Sequence, residues 1–154
     1  MKHVIFVFAI VCMAGCSQRK VDLEAEKAKI EFIWSDWPKK AKTMEPDNYV
    51  YYFADDVTLS TPGQPPFKSK ADIKKMFASM PRIPGFEDVW EDTVNIIGMS
   101  ASGDVAYSFD KNEMHIPDST GKIMIQKNYG LHVWKKNDQG EWRVAAMMIT
   151  PRNE

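Results

Sequence analysis

The spacing of apolar and polar positions changes period once along this chain, dividing a helical first half from a β second half. Between Val21 and Met44 the apolar residues fall at Leu23, Ile30, Ile33, Trp34, Trp37, Ala41 and Met44. Steps of three, four and seven place them on one face of an amphipathic helix. Pro38 sits inside that pattern and should kink or split the helix near Trp37. Glu45, Pro46 and Asp47 predict a second short helix, with proline early and acid in the first turn. It should present Tyr49, Val50, Tyr52 and Phe53 before Ala54, Asp55 and Asp56 close it. Val57 to Ser60 reads as a short strand ended by Thr61, Pro62 and Gly63. Ser69 with Asp72 has the form of a capping box, and Ile73, Met76, Phe77 and Met80 continue at helical spacing. Pro81 and Pro84 should stop that helix.

The remainder alternates as strands do, over Phe86 to Gly98, Val105 to Ile116, Ile123 to Lys136 and Trp142 to Thr150. Turns are expected at Ser102 and Gly103, at Asp118 to Gly121, and at Asn137 to Gly140. The clearest signal is Lys127 to Thr150, two β-branched and aromatic runs around a polar, glycine-containing turn. Helices first and hairpin-linked strands afterwards predict an α+β domain with an antiparallel sheet.

Composition narrows the function classes only a little. The chain has 154 residues, 44% hydrophobic and 27% charged, with a net charge of -1. That suits one globular domain and gives no basic patch for nucleic acid. The only dense run of cations, Lys39, Lys40 and Lys42, reads as a solvated helix face. The N-terminus changes the picture more. Lys2 and His3 precede eight apolar residues, Val4 to Val11, too few to span a bilayer but suited to a secretory signal. Met13, Ala14, Gly15 and Cys16 then resemble the lipobox of bacterial lipoproteins, with Met13 where leucine is usual. The resemblance implies removal of residues 1–15, a lipid on Cys16, a tether over 16–20 and a domain over 21–154. Cys12 leaves with the signal, so no disulfide or free thiol chemistry remains. Ser17 after the cysteine, in place of aspartate, points to the outer membrane of an enteric-type envelope.

The order helix, helix, short strand, helix and four strands resembles the nuclear transport factor 2-like cone, shared with ketosteroid isomerase and SnoaL-like cyclases. FADDVTLSTPGQPPFKSKADIKKMF, from Phe53 to Phe77, is close to the isomerase segment in register. GDVAY, VWKK and GEWRVAAM, between Ser102 and Thr150, resemble the ketosteroid-isomerase-homologue subgroup of unassigned function. The resemblance implies helices packed on a curved antiparallel sheet, and a homodimer that covers the outer sheet face. It also argues against isomerase chemistry, which needs a carboxylate base with a tyrosine and a protonated aspartate at the oxyanion. Those positions fall on Thr61, near Trp37, and on Gly130. The subgroup's usual tyrosine and aspartate fall on Gly130 and Met147, so the expected pocket is more apolar than those of its relatives.

Alternation splits Ile123 to Trp134 into two faces. Patterning alone would bury the odd set, Ile123, Ile125, Tyr129, Leu131 and Val133. The resemblance instead turns Asn128, Gly130, His132 and Trp134 inward. A turn centred on Ser119 would then set Asp110 beside Asn128 and Asn112 beside Gln126. The expected pocket has aromatic and apolar walls from Trp34, Trp37, Tyr52, Phe53, Phe77, Trp90 and Met147. Its polar groups are Asp110, Asn112, Asn128 and His132. The leading expectation is a non-enzymatic binder of a small apolar or amphipathic molecule. Two alternatives stand beside it: an isomerase, cyclase or hydrolase using His132 with Asp110 as acid–base pair, and a collapsed dimeric scaffold. His115 should be exposed at a strand end, and Asp55 with Asp56 should be solvated. No metal-ligand spacing or cofactor motif is present.

Overall fold

The computed structural model describes residues 21–80 and 82–152. The leader over 1–15, Cys16, the tether over 16–20 and Pro81 lie outside the described residues. The chain forms α1 (Leu23–Ala41), α2 (Pro46–Tyr49), β1 (Phe53–Ser60), α3 (Lys70–Ser79), β2 (Glu87–Trp90), β3 (Asn95–Met99), β4 (Val105–Pro117), β5 (Ile123–Lys136) and β6 (Trp142–Pro151). The strands make one curved sheet in the order β1-β6-β5-β4-β2, with β3 also on β4, and the helices pack against one face. This is the expected α+β cone. Its sheet departs from strict antiparallel pairing only at the β1 edge, which runs parallel to β6.

Helix α1 starts where Asp22 caps it, its carboxylate accepting from the backbone N–H of Glu24 and Ala25. Its apolar stripe buries Ile30, Ile33, Trp34, Trp37 and Ala41 as expected. The expected split at Pro38 does not occur. Proline removes only the one N–H that would reach the Trp34 carbonyl, and the helix continues to Ala41. Met44 is not on the stripe: it turns the chain with φ of 56° and is 37% exposed.

The second helix is shorter than expected, ending at Tyr49. Tyr52 and Phe53 are buried, but Phe53 already belongs to β1, which binds β6 at Phe53↔Val144. A register shift between Phe53 and Thr58 leaves Asp55 and Asp56 both exposed on a strand, not at a helix end. Ser69 caps α3 as expected, accepting from the Asp72 N–H at 3.0 Å.

The strand expected over Phe86 to Gly98 is two strands. Both lie on the same side of β4, β2 at Glu87↔His115 to Trp90↔Asn112 and β3 at Asn95↔Phe109 to Met99↔Ala106. The β4–β5 register is also two residues from expectation. The reverse turn closes on Asp118 and Lys122, so Asp110 faces Gly130 and Asn112 faces Asn128. An even shift leaves every side chain on its face. Asn128, Gly130, His132 and Trp134 are accordingly buried, while Tyr129, Leu131 and Val133 form a half-covered outer face.

Four tryptophans anchor the core: Trp34, Trp37, Trp134 and Trp142 are each at most 2% exposed. Their indole N–H groups donate to Glu91 O, Tyr49 O, Ser108 Oγ and Glu26 Oε2. Large apolar area is thus buried without stranding a polar group.

Candidate functional site

A cavity of about 10 Å³ lies between α1 and the concave sheet face. The pitch of α1 brings Trp34 to it, and α2 adds Tyr49. Four strands each contribute residues two apart, as a pleated face requires: Asp88 and Trp90 from β2, Asp110 and Asn112 from β4, Gly130 and His132 from β5, and Met147 and Ile149 from β6.

At its centre, His132 Nδ1 lies 2.9 Å from Asp110 Oδ1, with the residues 1% and 5% exposed. The approach is close but not aligned as a hydrogen bond. Asp110 Oδ1 and both imidazole nitrogens have no hydrogen-bond partner among the described residues. Trp34, Trp37 and Trp134 surround the imidazole, with ring centroids at 5.4, 6.0 and 5.9 Å.

Gly130 makes this arrangement sterically possible. A Cβ there would stand 2.6 Å from Asp110 Oδ1 and 2.7 Å from Oδ2. The carboxylate lies across the glycine from the neighbouring strand, so the side chain missing at 130 is replaced in space by Asp110. Asp110 is one of the polar groups expected in the pocket. A second carboxylate, Asp88, accepts from Asn112 Nδ2 at 2.6 Å. Burial pushes the Asp88 carboxyl up, against hydrogen bonds from Trp90 and Asn112, and the charge of Asp110 adds to the rise. Burial likewise pushes the Tyr49 phenol up, with the charge of Asp88 adding to it. Among the described residues, no Lys or Arg lines the cavity.

Among the residues expected to line a pocket, Trp34, Trp90, Asp110, Asn112, His132 and Met147 do so. Trp37, Tyr52 and Phe53 are core side chains outside the lining, and Phe77 stacks behind Tyr49 with centroids 3.7 Å apart. Asn128 is fully buried and accepts from Gln126 Nε2 at 3.0 Å. Thr61 lies past the end of β1, also outside the lining. His115, expected to be exposed, is 28% exposed in its side chain and sits near Glu87 and Glu113. Sequence reasoning missed Tyr49, Asp88 and Ile149 as lining groups. The two-residue step from Asp88 to Trp90 was the available signal. No group of three His, Cys, Asp or Glu side chains among the described residues could hold a metal ion.

The fold is that of nuclear transport factor 2-like proteins, as its likeness to solved structures shows. A nuclear transport factor 2-like protein from Novosphingobium aromaticivorans aligns at TM-score 0.72, with 12% identity, over 85% of this chain and 84% of its own. A ketosteroid isomerase-like protein from Erwinia carotovora atroseptica aligns at 0.63, with 18% identity, over 86% and 95%. A hexachlorocyclohexane dehydrochlorinase from Novosphingobium barchaimii aligns at 0.70, with 14% identity, over 84% and 88%. No family model matches the chain, and no curated protein does.

Proposed function

We propose that this chain is a lipid-anchored envelope protein whose cone binds a small amphipathic molecule at the Asp110–His132 cavity. The observation that carries the reading is a set of buried polar atoms without partners at a cavity wall. Asp110 Oδ1 and the His132 nitrogens are buried without a hydrogen bond, and a bound polar group supplies one. The free volume of about 10 Å³ is roughly that of one water, so the cavity takes only a small head group unless side chains move. Native mass spectrometry of the full chain released from detergent tests the reading. A bound small molecule lost on mild activation supports it; a protein without adduct favours a collapsed scaffold.

A second reading is favoured by the 2.9 Å His132–Asp110 contact, which suits general acid–base work. One structural neighbour is by name a dehydrochlorinase, so this fold carries enzymes. In that reading His132→Ala abolishes a turnover that binding-site variants such as Met147→Ala only weaken. No turnover on a panel of isomerase, cyclase and hydrolase substrates speaks against it.

The anchor and the oligomer are part of the proposal. Lipid on Cys16 predicts that labelled fatty acid enters the wild-type chain and not Cys16→Ala. The outer sheet face carries Tyr107, Phe109 and Met148, 45%, 36% and 51% exposed, beside Leu131 and Val133. An apolar stripe of that kind is suited to a second copy of the chain. Phe109→Lys should convert a dimer to a monomer in sedimentation.

A further inference from the structure

The chemistry of the cavity walls narrows the class of ligand, an inference that rests on the cavity being the proposed binding pocket. The free space holds one water-sized group, and two carboxyl groups stand at its wall with no Lys or Arg among the lining residues. Asp110 Oδ1 lacks a hydrogen-bond partner, Asp88 adds a second carboxyl group, and both nitrogens of His132 are unbonded. The walls above are the rings of Trp34, Trp90 and Tyr49, and the faces of such rings attract cations. We propose that the cavity binds the ammonium head of a small primary amine, its tail lying against Trp34, Trp90 and Tyr49. An ammonium is about the size of a water, carries three donors, and supplies the positive charge that the lining lacks. An alcohol brings one donor, and a carboxylate would face two acids.

The raised Asp88 carboxyl fits the same ligand. Burial and the Asp110 charge both disfavour its ionised form, and a cation between the two acids offsets both. There is also a route for the tail. Trp90 and Asp110 line both the cavity and a surface groove of about 740 Å³ beside the break between β2 and β3. Trp90 packs on Trp34 at 5.2 Å and on Trp37 at 5.1 Å, and is the side chain that must swing to admit a tail. Glu91 and Asp92 on the groove wall, against Lys111, keep the approach net negative.

The test titrates the full chain in detergent with benzylammonium, benzyl alcohol and benzoate at neutral pH, reading calorimetry and tryptophan fluorescence. Benzylammonium should saturate, benzyl alcohol should bind roughly tenfold more weakly or worse, and benzoate should not bind. Asp110→Asn should weaken benzylammonium by about tenfold, and more than it weakens benzyl alcohol. Should that variant not fold, the wild-type contrast between the two near-isosteric probes decides alone. Benzyl alcohol or benzoate binding as tightly as the amine overturns the ammonium assignment and leaves the pocket standing. No saturation by any of the three overturns both.

Discussion

Two buried acids in this protein have opposite surroundings. Glu26, 8% exposed, accepts from Trp142 Nε1 at 2.9 Å, Lys136 Nζ at 2.8 Å and Lys29 Nζ at 2.9 Å. These bonds overcome the effect of burial and hold its carboxyl down, from 4.5 to about 2. Asp110, 5% exposed, has one close neighbour in poor alignment, and beside it Asp88 is pushed up. Both acids are excluded from water, but only one is compensated by the protein. The compensated one ties α1 to the β5–β6 hairpin, while Asp110 lines a cavity. A satisfied buried charge holds a fold together, whereas an unsatisfied one marks a place reserved for something else.

The largest expected effect breaks the first site. Glu26→Ala leaves the Lys136 ammonium and the Trp142 N–H without their acceptor and should cost about 3 kcal/mol in urea unfolding. The same bonds fix the pH dependence. A carboxyl whose folded pKa lies below its unfolded one stabilises the fold fully above the unfolded value. Glu26 therefore contributes at neutral pH, and that contribution is lost as pH falls from 4.5 towards about 2. The loss amounts to about 3 kcal/mol. Glu26→Gln should flatten that part of the acid limb; an unchanged limb would assign it to other acids.

A middle-sized effect sharpens the contrast. Gly130→Ala puts a methyl group 2.6 Å from Asp110 Oδ1, and the short aspartate side chain has little room to retreat. Stability should fall by about 1 to 2 kcal/mol, and the His132 ring protons should shift in NMR as the 2.9 Å contact opens. Unmoved His132 resonances would show that the glycine does not position the pair.

The two sites also differ in how far the sequence foretold them. The helical stripe of α1, the cap at Ser69 and the inward face of β5 were readable because each rests on local period, capping chemistry or the fold resemblance. His132 and Asp110 were readable as pocket residues through that same resemblance. Their pairing was read too, as an acid–base alternative; the register was not, since a two-residue change of turn moves Asp110 from Asn128 to Gly130 without altering any face. Glu26 was hidden by distance: its partner Trp142 is 116 residues away, and a glutamate on an amphipathic helix ordinarily reads as solvated. The second helix was overextended through Phe53 because its aromatic run suits helix and strand alike. Pairing with β6, a tertiary contact, decides for the strand.

The smallest effect has the opposite sign and separates the two sites most cleanly. Asp88→Asn keeps an oxygen for Asn112 Nδ2 and removes a carboxylate whose ionised form burial disfavours. A folded pKa above the unfolded one makes an acid stabilising only at low pH, and that contribution is lost as pH rises through the folded value. At neutral pH the wild-type chain therefore carries a penalty that the variant lacks. Urea unfolding should show a gain of roughly 0.5 kcal/mol, opposite to Glu26→Ala, and the gain should vanish in acid. A loss at neutral pH would place Asp88 with Glu26 among the acids that hold the fold.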